Sequence, residues 1–113
     1  MKKILVIRSS TNLQFVEFPL RDVEGYEVFL AASREKGMEL VKEKDPDLIV
    51  LDIGEHLSLL EEIRKVSQVP VLVIGVKNDE VYTLNAGADD FVFRPFGADE
   101  VLARVRALLR RGR

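Results

Sequence analysis

Five short stretches of almost unbroken apolar residues mark the chain: KILVI at Lys3–Ile7, VFLA at Val28–Ala31, LIVL at Leu48–Leu51, VLVI at Val71–Ile74 and FVF at Phe91–Phe93. Each is strand-length. Strands with one wet face alternate apolar and polar positions, whereas continuous apolar runs suit strands covered on both faces, so the pattern predicts a parallel sheet with helices on each side.

Helix-length segments lie between the runs. After Ser33 the apolar Met38, Leu40 and Val41 sit among charges until Asp45-Pro46, where the restriction on the residue before proline ends a helix. Leu57 to Val66 repeats the pattern, and from Ala98 the residues Val101, Leu102, Val105, Leu108 and Leu109 form one stripe at helical spacing. The first crossover, Thr11 to Glu24, has Leu13, Val16, Leu20 and Val23 on a buried stripe, with Thr11 or Asn12 as its cap. Pro19 interrupts it. A proline this deep costs on the order of 3 kcal/mol, which predicts a kink or break near Phe15 to Phe18. Gly25 and Gly87 follow helical segments and suit left-handed caps, while Gly37 lies inside one and weakens it by about 1 kcal/mol. Strand then helix, five times over, implies right-handed crossovers and an open, doubly wound α/β sheet whose ligands sit beyond the carboxyl ends of the strands.

Length and charge narrow the functional classes. The 113 residues, 47% hydrophobic and 32% charged, suffice for one domain with a radius of gyration of roughly 13 Å. There is no cysteine, so thiolate zinc sites, redox pairs and cysteine phosphatase chemistry are excluded, in keeping with a cytoplasmic location. No apolar run approaches a membrane span. The net charge of −2 conceals an asymmetry: Arg104, Arg106, Arg110, Arg111 and Arg113 give +5 at the C-terminal end and leave −7 on the rest. An acidic body argues against gripping nucleic acid unaided, and the arginines suit a solvated helix face or, alternatively, partner contact.

The expected topology gathers Arg8, Ser9, Ser10 and Thr11 after the first strand, Asp52 after the third, Gly75 after the fourth and Arg94-Pro95 after the fifth. Asp52 carries the chemical potential there, as a cation ligand or as a nucleophile toward phosphorus. Phosphoryl transfer also needs charge relief, ordinarily from a divalent ion held by more than one carboxylate.

The segments KKILVI, EGYEV, PDLIVLD, VPVLVI, NAGADDF, RPF and DEVLARVRALLRR, in that order, resemble a bacterial response-regulator receiver domain, most closely the OmpR/PhoB subfamily. The resemblance spans nearly the whole chain and implies a flavodoxin-like (CheY-like) (βα)5 sheet of strand order 2-1-3-4-5. It places Asp52 at the phosphoacceptor, Phe91 at the switch aromatic and Arg94-Pro95 at a Lys-Pro whose peptide bond is usually cis. The departures weigh more than the matches. The paired acidic residues that hold Mg²⁺ in the family are Arg8 and Ser9 here, its Thr or Ser after the fourth strand is Gly75, and its Lys is Arg94. The loops after Asp52 and Gly75 are also shortened. Asp52 alone holds Mg²⁺ poorly, so metal binding and phosphorylation are expected to be weak or absent, with Arg8 or Arg94 pairing with Asp52 instead.

Other candidates have plainer readings. Ser9 to Asn12 suits helix capping better than anion binding, His56 lacks a second ligand, and Asp89-Asp90 point opposite ways and cannot share one metal ion. Phe91, Phe93 and Phe96 read as packing residues. The subfamily resemblance implies a homodimer through the fourth helix, fifth strand and fifth helix. Asp90 and Arg104 match a salt bridge there, Leu84, Leu102 and Ala103 supply an apolar centre, and Glu80 and Glu100 stand where opposite charges are expected to meet. The resulting expectation is a degenerate, phosphorylation-independent receiver rather than an enzyme, acting as a dimerisation module in transcription regulation. It would reach DNA only through an appended winged-helix domain. Two rivals stand beside it: a receiver still taking phosphate on Asp52 from a histidine kinase, and an anion sensor built on Arg8, Ser10 and Arg94.

Overall fold

The computed structural model describes residues 1–9, 14–54 and 58–111. Strands β1 (Lys3–Ile7), β2 (Glu27–Ala31), β3 (Leu48–Asp52), β4 (Val71–Gly75) and β5 (Asp90–Phe93) form one all-parallel sheet in the order β2-β1-β3-β4-β5. Helices α1 (Gln14–Phe18), α2 (Arg34–Lys44), α3 (Leu59–Val66) and α4 (Glu80–Asn85) fill the crossovers, and α5 (Ala98–Arg111) follows β5. The radius of gyration is 12.5 Å. No helix of the described residues is long and apolar enough to cross a membrane.

The unbroken apolar runs are divided by the twofold period of the strand. Leu5, Ile7, Ile49 and Leu51 face α2 and α3 with Leu40, Leu60 and Ile63, whereas Ile4, Val6, Leu48 and Val50 face α1 and α5 with Val16, Val101 and Val105. The central strands therefore have no wet side, and β3 is buried along its whole length.

In place of the kink or break expected near Phe15 to Phe18, the helix changes type at Pro19. Residues Pro19–Val23 turn as a π-helix directly after α1, and the Glu24 N–H reaches back five residues to the Pro19 carbonyl at 3.1 Å. The wider turn absorbs the proline without ending the helical path. Thr11 and Asn12 lie outside the described residues. Glu17, next to the apolar Val16, is only 3% exposed, and its Oε1 has no hydrogen-bond partner among the described residues.

Two residues have roles beyond their local pattern. Gly37 is more than a weak helix position, because a Cβ there would lie 3.0 Å from Ile7 Cδ1, so its bareness lets α2 approach β1. Arg64 on α3 donates to the carbonyls of Ser67, Val69 and Gly87 and to Asp89 Oδ2. That carboxylate also accepts the Val71 N–H at 2.8 Å. One guanidinium thus ties the end of α3 to the start of β4 and to the α4–β5 turn. Arg64→Ala is expected to lower stability by about 2–3 kcal/mol in urea titrations, with Arg64→Lys recovering less than half, since an ammonium cannot fork across these acceptors. A loss below about 0.5 kcal/mol would refute the clamp.

Candidate functional site

Each candidate residue sits where a strand ends. Asp52 closes β3, in register with Ile74 of β4, and the neighbouring Ile53 N–H continues the ladder to the Ile74 carbonyl at 3.0 Å. Arg8 follows β1 and donates its backbone N–H to the Ala31 carbonyl at 2.9 Å. Arg94 follows β5 and donates its N–H to the Gly75 carbonyl, also at 2.9 Å. These one-residue extensions of the ladders hold the three loops against the carboxyl edge of the sheet, and the Arg94–Pro95 bond is cis.

Asp52 is 1% exposed, and two donors among the described residues meet one oxygen of its carboxylate. Arg94 Nη2 lies 2.6 Å from Oδ2, and the Ser9 hydroxyl donates to the same atom at 3.0 Å. A buried carboxylate without such partners would face a desolvation cost of several kcal/mol, so the pair is an electrostatic necessity of this site. The guanidinium is itself positioned, with Cζ 5.7 Å from the centre of the Phe96 ring. Gly54 closes the far side. A Cβ there would stand 2.7 Å from Ser9 Oγ and 3.4 Å from Asp52 Oδ1, so the backbone after β3 lies directly against the pair.

Gly75 marks a second close approach. A Cβ at this position would meet Ile53 Cγ2 at 2.8 Å, Phe91 Cζ at 3.0 Å and Asp79 Oδ2 at 3.1 Å. The Phe91 ring is buried at 5% exposure and tilts against Phe93 with centroids 5.1 Å apart. The tip of that ring therefore crowds the position where a side chain on residue 75 would begin.

Residues 5–106 match the model of the response regulator receiver domain. The chain belongs to this family. Among solved structures the receiver is similar to a two-component response regulator from Clostridium difficile, at 28% identity and a TM-score of 0.88 over 98% of each chain. It is equally similar to the receiver domain of the TMAO respiratory system response regulator TorR, at 28% identity and 0.87 over the whole of both chains. A CheY-like receiver protein from Methanospirillum hungatei aligns at 27% identity and 0.83, over 98% of this chain and 95% of that one.

Within this receiver the expected pocket residues Arg8, Ser9, Asp52, Gly75, Arg94 and Pro95 all lie at the carboxyl edge, and the guanidinium on Asp52 Oδ2 is that of Arg94. Ser10 and His56 lie outside the described residues. The anion subsite expected between Arg8, Ser10 and Arg94 meets the difficulty that Arg94 is directed at a carboxylate. Asp89 and Asp90 do diverge, one toward Arg64 and the other toward Arg104.

On the α4–β5–α5 face one expected residue turns inward. Leu102, expected in an apolar intersubunit centre, is 8% exposed and packs in the core beside Val101 and Val105, because the inward stripe of α5 includes it. Asp90 and Arg104 pair within one chain, at 2.9 Å, and Glu100 joins them at 3.3 Å. Hydrogen bonding to Asp90 raises the Arg104 pKa above its ordinary value. Exposed apolar groups do occur on this face, at Val81, Leu84 and Phe93, with Ala103 also exposed. Sequence reasoning missed Val81 and Phe93 as surface groups, since neither their type nor their spacing distinguishes them from core.

Proposed function

We propose that this receiver is held in a single signalling state by the Arg94–Asp52 ion pair rather than by phosphorylation. We place it in the OmpR/PhoB type, as a dimerisation and interaction module of a cytoplasmic transcription regulator whose DNA contact belongs to an appended winged-helix domain. The 2.6 Å contact between Arg94 and Asp52 carries the reading. A phosphoacceptor carboxylate has two tasks, attack through one oxygen and metal binding through the other. Here, among the described residues, a guanidinium and a hydroxyl fill Oδ2, leaving Oδ1 for both.

The Mg²⁺ that the family resemblance implies does not fit this donor set. Such an ion gathers several hard oxygen ligands, and the groups converging on Asp52 are hydrogen-bond donors, one of them a fixed cation. Among the described residues no three acidic or histidine side chains cluster as a metal site. Receiver domains bind kinases and other regulators, and this one would do so without taking phosphate. The exposed Val81, Leu84 and Phe93 support the dimer, while the internally paired Asp90 and Arg104 place less weight on intersubunit salt bridges.

Acetyl phosphate or beryllofluoride with Mg²⁺ should leave the backbone amide spectrum unchanged. A stable acyl phosphate, or shifts that disappear in Asp52→Asn, would overturn the proposal. Sedimentation at micromolar concentration should show a dimer that Leu84→Glu dissociates, and a strict monomer would remove that part of the reading.

A further inference from the structure

At the amino-terminal end of the sheet, opposite the Asp52 crevice, an open hollow of about 280 Å³ is lined by Lys2, Tyr26, Arg106, Leu109 and Arg110. Its position follows from the topology. Lys2 precedes β1, Tyr26 precedes β2, and Arg106, Leu109 and Arg110 share one face of α5 at helical spacing. Tyr26 and Leu109 are half-buried against the α1–α5 core and provide apolar surface.

The charges are distributed unevenly around that surface. Arg106 is held by Glu24 at 2.8 Å, while Lys2 and Arg110 are exposed and have no ion-pair partner among the described residues. Burial, and then the Glu24 carboxylate, raise the Tyr26 pKa above its ordinary value, so its hydroxyl stays neutral. The hollow is thus a cationic spot on a body that is otherwise acidic.

We propose that this hollow docks an acidic peptide segment of a partner protein, one large apolar residue entering over Tyr26 and Leu109 while flanking carboxylates meet Lys2 and Arg110. Size and charge select this occupant. The volume falls just below the roughly 300–1,000 Å³ of small-molecule sites and is open to solvent, which suits a single anchor side chain better than an enclosed ligand. Nucleic acid and anionic membranes would be repelled by the −7 carried outside the last ten residues, whereas a short peptide touches only the basic spot. The site is independent of Asp52 and of whether phosphorylation occurs.

Fluorescence anisotropy with a labelled synthetic peptide, EDEFDED, tests the assignment on the full chain. Saturable binding that weakens with salt is expected, with amide shifts concentrated at Tyr26 and Leu109. The double charge reversal Lys2→Glu/Arg110→Glu changes only exposed side chains and should weaken binding at least about tenfold with an unchanged thermal melt. The peptide EDESDED, lacking the anchor, should bind several-fold less well. The proposal fails if binding does not saturate below about 1 mM, if the charge reversal has no effect, or if both peptides bind equally. Tighter binding to duplex DNA or to phosphatidylserine vesicles than to the peptide would also overturn it.

Discussion

Arg94→Ala is expected to lower the stability of the domain by about 2–3 kcal/mol, read as a decrease in the urea midpoint at constant slope. The loss comes mainly from what remains behind. Asp52 is 1% exposed, and without the guanidinium only the Ser9 hydroxyl, among the described residues, still donates to its Oδ2. The loss falls below that of a fully buried pair, because the Arg94 side chain is 29% exposed and water can partly replace it. Removing the charge at the other end changes the outcome. In an Asp52→Asn background the same Arg94→Ala substitution should cost less than about 1 kcal/mol, giving a coupling of at least roughly 1–2 kcal/mol in a double-mutant cycle. Additive effects of the two substitutions would show that the pair is a bystander. Arg94→Lys, which restores the family's residue type, should recover part of the stability, since an ammonium keeps the charge but loses the ring contact with Phe96.

Gly75→Thr should be at least as damaging, at about 2–4 kcal/mol, for a steric reason. Three atoms from three directions, on Ile53, Phe91 and Asp79, lie between 2.8 and 3.1 Å from the position of a new Cβ. Asp79 has some freedom to withdraw, although its Oδ2 also accepts the Val76 N–H at 3.3 Å. Ile53 and Phe91 are buried and have little. Shortening the ring position by Phe91→Leu should therefore recover part of the loss in the double variant, even though Phe91→Leu alone is destabilising. A Gly75→Thr protein as stable as the parent would mean that the Phe91 ring moves freely, contrary to the crowding seen at its tip.

Much of this architecture could be read from the residue pattern. Continuous apolar runs are uncommon outside strands covered on both faces, so the five strands and their parallel arrangement were legible, and α5 begins at Ala98, where the helical segment is read to start. Asp52 could be located because strand ends in such sheets converge on one edge. What stayed hidden depended on contacts between distant segments. The closeness of Gly37 to Ile7, the path of Arg64 to the Gly87 carbonyl and the turn of Leu102 toward the core involve tertiary neighbours that local spacing does not specify. The choice between Arg8 and Arg94 as the donor to Asp52 was equally closed to sequence, because both residues leave strands at the same edge. The burial of Glu17 beside the inward Val16 of α1 is likewise a tertiary outcome.

The contact between Arg94 and Asp52 has a temporal implication. A covalent phosphoryl mark decays by hydrolysis and so gives a signalling protein its own clock. A side-chain cation built into the polypeptide has no such lifetime. On the proposed reading, the strength of the output follows how many copies the cell makes and how quickly it degrades them, and control shifts from post-translational chemistry to synthesis and turnover.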